Sequence, residues 1–187
     1  MSKRESPITL NTEVRHALLE RHKDEHNAGH LYDRVAERLH HEGYAGLALH
    51  FRTAAAEERG PHAQRVEDIL HAFDVDPPHP KVQEPDLTGQ NSILDLVYLA
   101  WKTEADLVRR YEKTKALAGE MNELSVEAIL DGILEFQLRE IEDARVLYRR
   151  CESADSDGAG LEKIYASAQH ARQQWAAAIE AAERKAN

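Results

Sequence analysis

Four glutamates, one histidine and one glutamine in this chain have the types and spacing to hold metal ions: Glu25, Glu58, Glu104, Glu140, His62 and Gln137. Each lies near the middle of a long amphipathic stretch. Steps of four and three residues trace the seam that a helix turns toward the centre of a bundle. In the first stretch that seam reads Leu18, Arg21, Glu25, Ala28, Tyr32, Val35. In the third it reads Val97, Ala100, Glu104, Leu107, Tyr111, and in the fourth Leu130, Ile133, Gln137, Glu140, Ala144, Leu147. A carboxylate taken out of water must be paired, protonated or bound to a cation. A single inward glutamate is usually a paired core charge, but here the acids arrive helix after helix at mid-height, and a shared cation explains them together. Carboxylate oxygens with imidazole suit iron, manganese and zinc, and the residue types leave that choice open. Were they ferrous, two ions held roughly 3.5 to 4 Å apart, as in two-metal sites generally, could reduce dioxygen together.

The second stretch contains an interruption. Its seam, Leu47, Phe51, Ala54, Glu58, would continue to Pro61, Arg65, Asp68 and Ala72, which is no core. Moved by one residue it becomes His62, Val66, Ile69 and Phe73, which is a good one. One surplus residue therefore lies between Glu58 and His62. Gly60 and Pro61 mark where a π-type bulge or a short break absorbs it, turning His62 inward beside Glu58.

The elements that must carry these side chains follow from apolar periodicity and punctuation. Helices are expected over about 10–41, 44–73, 92–117 and 124–152. A short turn at "HEGY" makes the first two antiparallel, and 74–91, with four prolines and no helical period, is long enough to cross from one end of a bundle to the other. After "SADSDGAG" comes a fifth helix, about 160–186, with a thin apolar stripe suited to docking on the bundle or on a neighbouring subunit. The expected class is all-α, a four-helix bundle over 1–152 with one long crossover, then a linker and C-terminal helix over 153–187. The 187 residues suffice for one substantial core.

Composition removes several alternatives. A net charge of −10 with no basic face argues against nucleic acid. No stretch approaches the length of a membrane span, and "MSKRESPITL" lacks the apolar core of a signal peptide, so a cytoplasmic protein is expected. With Cys151 as the one cysteine, no thiolate cluster is possible. His22, His26 and His30 recur every four residues one step off the seam; they read as a solvated face, with a second, surface metal site as the other reading.

Over roughly residues 10–152 the chain resembles the ferritin family. "EHNAGHLY" is similar to that family's first-helix motif, a metal-binding Glu followed seven residues later by Tyr. "EGYAGLALHFRTAAAEERGPHA" resembles its second helix, where Glu and His are ordinarily three apart; here they are four apart. "TEADLVRRYEKTKALA" resembles the third-helix glutamate segment, and "LEFQLRE" the Q-x-x-E of bacterial ferritins. The resemblance implies that Glu25 and His62 hold one iron, Glu58 bridges, and Glu104 holds a second with Gln137 nearby. Glu140 would serve an additional iron position, and Tyr32 would hydrogen-bond beside the site or donate an electron. The implied activity is a ferroxidase in a homo-oligomer, with Fe(II) and O2 as partners, serving iron storage or detoxification. A fifth helix of this length departs from the family's short one. Two other functions stay open: a ferritin-fold di-iron oxidase or peroxidase that stores nothing, and a metal-free helical interaction protein.

Overall fold

The computed structural model describes residues 9–154 and residue 160. The expected fifth helix beyond residue 160 and residues 155–159 of the linker lie outside them. α1 spans Thr12–His41, α2 Ala45–Glu57, α3 Ala63–Ala72, α4 Ile93–Glu120 and α5 Leu124–Ser153. α2 and α3 form one bundle helix, joined through a single π turn, Glu58–His62. No strand occurs among the described residues.

Local chemistry sets the ends. The Asn11 side chain caps α1 by accepting from the backbone N–H groups of Glu13 and Val14, and Ser92 with Asp95 forms a reciprocal capping box at the start of α4. α1 stops where Tyr44 N–H bonds back to the Leu39 carbonyl, with Gly43 at φ +90. This is the left-handed closure that glycine allows without strain. The same closure, with Asp74 at φ 55 and Asn122 at φ 59, ends α3 and α4.

The core has a layered order that fixes the topology. One apolar cluster contains Val35, Leu39, Leu47, Phe51, Leu96 and Leu147; a second contains Val14, Leu18, Val66, Ile69, Val126 and Leu130. Between them, along every helix, lie the buried polar residues Glu25, Glu58, His62, Glu104 and Gln137. α1 and α5 start in the second cluster and end in the first, whereas the α2–α3 helix and α4 run the other way. Two successive bundle helices with the same direction require the segment between them to travel the length of the bundle. Residues 74–91 do so, packing Leu87 against the first cluster and holding α1 through the Gln83 N–H bond to Asn27 Oδ1, 2.9 Å. α1 and α2 approach closely at Gly29, where a Cβ would sit 2.9 Å from the Ala55 carbonyl oxygen.

Candidate metal centre

The π turn is what brings the second helix into the centre. Across it the Ala63 N–H reaches the Glu58 carbonyl, five residues back. The wider turn holds the one surplus residue, and Pro61, which has no N–H to give, sits within it. Before the turn Leu47, Phe51 and Ala54 face inward, and after it Val66 and Ile69 are buried while Asp68 and Ala72 are exposed. Glu58 and His62 are both buried, with Glu58 Oε2 3.0 Å from His62 Nδ1.

Around this pair the bundle collects two ligand groups that share a member. Glu25, Glu58 and His62 offer one ligand atom each, all within 4.8 Å of one another; Glu58, Glu104 and Glu140 do the same. Glu58 thus stands between α1 on one side and α4 with α5 on the other. His62 Nε2 also faces Glu140 Oε1 at 3.5 Å, which ties the two groups together through the imidazole. Gln137, one turn before Glu140 on α5, is buried at 1 % exposure. Phe136 closes the α5 side, its ring edge-on to His62 at 4.9 Å and covered on its face by the Arg65 guanidinium.

Two tyrosines orient the acids. The Tyr32 hydroxyl donates to Glu104 Oε1, and the Tyr111 hydroxyl donates to Glu25 Oε1. Both pairs have the same spacing, Glu followed seven residues later by Tyr, once on α1 and once on α4, and each tyrosine serves the other helix's acid. Such a crossed pairing is possible only because the two helices are antiparallel. Tyr111 lies on the expected seam of the third helix, without a role assigned to it there; the repeated E-x6-Y was the signal for this pairing. The arrangement is braced by Asp24, buried and ion-paired to Arg21 and Arg110, and by Arg21 donating to Thr114 Oγ1 at 3.0 Å.

Electrostatically the centre is anionic and poorly hydrated. Burial, followed by the neighbouring charges of Glu104 and Glu25, pushes the Glu58 carboxyl well above the usual glutamate range. Burial also raises Glu25, against the lowering effect of its bonds to Glu58 and Tyr111. Burial and the adjoining carboxylates keep both tyrosines protonated, so both remain donors. Among the described residues no N–H reaches the buried Glu25 Oε2 or Gln137 Oε1. An acidic, oxygen-rich pocket with one imidazole and inward oxygen atoms lacking donors suits divalent first-row cations. A cavity lined by Glu58, Glu104 and Glu140 extends past half-buried His50 and Glu57 to exposed Asp143, giving a cation an acidic way in.

The histidines of α1 depart from expectation. His22 is 3 % exposed rather than solvated, because Glu67 of α3 reaches its Nε2 at 2.8 Å; His26 and His30 are half-buried. A residue one step off the seam still meets the flank of the neighbouring helix, and that contact is invisible in a one-helix pattern.

A family model described as a ferritin-like domain matches residues 15–154. No curated protein matches the sequence significantly. Among solved structures, a ferritin from the hyperthermophilic archaeon Archaeoglobus fulgidus, described as having a novel open pore, superposes with a TM-score of 0.80 at 18% identity. The likeness covers 86% of this chain and 98% of that one. The ferritin of M. penetrans is similar, with a TM-score of 0.78 and 14% identity over 83% of this chain and 95% of its own. At these identities the likeness speaks for the fold.

Proposed function

The chain belongs to the ferritin family, and from that premise we propose that it is a ferroxidase: its centre takes up two ferrous ions as substrate and oxidises them with dioxygen, for iron storage or detoxification. The observation that carries this reading is the pair of buried ligand groups sharing Glu58. Glu25 and His62 hold one ion, Glu104 the other, and Glu58 bridges, with Gln137 beside the pair; Glu140, expected at an additional position, joins the second ion in this reading because it shares a ligand group with Glu58 and Glu104. One electron from each ferrous ion and two protons convert dioxygen to hydrogen peroxide.

This chain's own residues do the rest. Cation entry displaces the proton that Glu58 retains in the fold and replaces like-charge repulsion among the acids by attraction. Tyr32 and Tyr111 keep Glu104 and Glu25 facing the ions rather than each other. Tyr32 lies against both Glu104 and the cavity; an electron from it would enter only a reduction that goes past hydrogen peroxide. The apolar clusters above and below exclude bulk water, which strengthens every charge interaction inside.

No helix among the described residues is long and apolar enough to cross a membrane. We place the protein in the cytoplasm, where ferrous iron is supplied in reduced form, and as a homo-oligomer, as the exposed Leu49, Tyr98, Ile129 and Leu138 suit subunit contact.

Anaerobic titration with Fe(II), followed by air, tests the proposal. Uptake should saturate near two ions per chain, and a fast oxidation phase should vanish in Glu58→Ala and in Glu104→Ala. Fast oxidation surviving in both variants would overturn the assignment. Storage is tested separately, by whether a large particle retains ferric iron after many turnovers.

A further inference from the structure

Outside the central carboxylates, a second set of side chains converges in the groove between α1 and α3. His22 and His26, four residues apart on α1, present their rings on one face; Glu67 of α3 comes up beneath them. One ring nitrogen from each histidine and a carboxylate oxygen of Glu67 lie within 4.8 Å of one another. The two rings pack edge to face with centroids 4.8 Å apart. The His79 ring, on the crossover, stands 6.3 Å from that of His26. A single histidine–glutamate hydrogen bond would account for His22 and Glu67. It would not account for a second imidazole packed against the first and a third arriving from a separate segment.

We propose that His22, His26 and Glu67 form a mononuclear binding site for a divalent transition-metal cation, distinct from the dinuclear centre, with His79 in reach as a fourth ligand. Two imidazoles and one carboxylate are a ligand set for zinc or ferrous iron and a poor one for magnesium or calcium, which prefer oxygen throughout. The site is accessible: His22 is buried, His26 and Glu67 are half-buried, and His79 is exposed, so a cation can enter from the crossover side. It shares no ligand with the central groups, because Glu25, between His22 and His26 in sequence, points into the bundle. A cation there would join α1, α3 and the crossover.

Co(II), alone as a probe, separates this site from the central one. In full-length protein carrying Glu58→Ala and Glu104→Ala, which dismantle the dinuclear centre, equilibrium dialysis should still find one Co(II) per chain. Adding His26→Gln should weaken that binding by about tenfold or more, the scale on which changes to a metal site's surroundings are felt. In wild-type protein, whose folding is not in question, Zn(II) should protect His26 and His79 from diethyl pyrocarbonate while leaving the exposed His71 as reactive as before. Absence of Co(II) from the double variant, binding indifferent to His26→Gln, or equal modification of His26 with and without Zn(II) would each overturn the proposal.

Discussion

Glu58 occupies a position that no single carboxylate would hold without a partner: it is buried, adjoined by Glu25, Glu104 and Glu140, and protonated more readily than an ordinary glutamate. That has a consequence for metal-stripped protein. In the fold, Glu58 and Glu25 retain protons at pH values where the unfolded chain, with glutamates near 4.5, has released them. The folded state therefore binds more protons, and stability must fall as pH rises from about 4.5 through the raised folded values. Urea melts of chelator-treated protein between pH 5 and pH 8 should show this decline. Glu58→Gln should flatten it, and saturating Zn(II) should reverse it in wild type; parallel pH profiles for wild type and Glu58→Gln would contradict the account. At this scale sequence reasoning named Glu25, Tyr32, Glu58, His62, Glu104, Gln137 and Glu140, and the fold turns them all inward, because seam position decides which side chains of a bundle helix face its centre. What it did not see were cross-helix pairings: Tyr111 with Glu25, and His22 with Glu67. Those depend on how far one helix slides along another, which periodicity within a helix does not encode.

The π turn shows how an element can take an extra residue without losing its function. The sequence signal was strong because it had two independent parts: a seam that failed after Glu58 and a Gly-Pro pair where it failed. Whether the surplus would be absorbed by a break or by a widened turn depended on the hydrogen bonds of the neighbouring turns, and the structure has the widened turn. Deletion of Pro61 should therefore be accepted. Glu58 and His62 would stand three apart on a regular helix, Val66 and Ile69 would keep their places, and stability should stay level or rise by about 1 to 3 kcal/mol as the interior proline and the π turn's strain are lost. Thermal melting beside iron titration checks both halves. A fall of many degrees with loss of iron binding would mean that the segment after Pro61 had rotated by about 100°, one residue's worth of helix.

For the whole molecule, helix directions were legible because prolines at 77, 78, 80 and 85 leave residues 74–91 no option but an extended crossing. The chain beyond Ser153 is a different matter, and its use is best asked of assembly. All the proposed ligands precede it, so truncation after Asp155 should leave iron oxidation intact and change particle size by analytical ultracentrifugation. A truncated protein of unchanged size that no longer oxidised iron would assign that segment to the centre instead. The two apolar clusters have a further consequence, in the cooperativity of unfolding. Each helix contributes one half to either cluster, so the weak joint of the molecule runs across all four helices at the level of the acids rather than between any two of them. Amide hydrogen exchange in chelated protein should then group amides by cluster: those near Leu18, Ile69, Tyr111 and Leu130 opening together, and those near Leu39, Phe51, Leu96 and Leu147 opening with a different free energy. Ferrous or zinc ions bound across the acid layer should merge the two groups into one, so that a long helix ceases to have two stabilities.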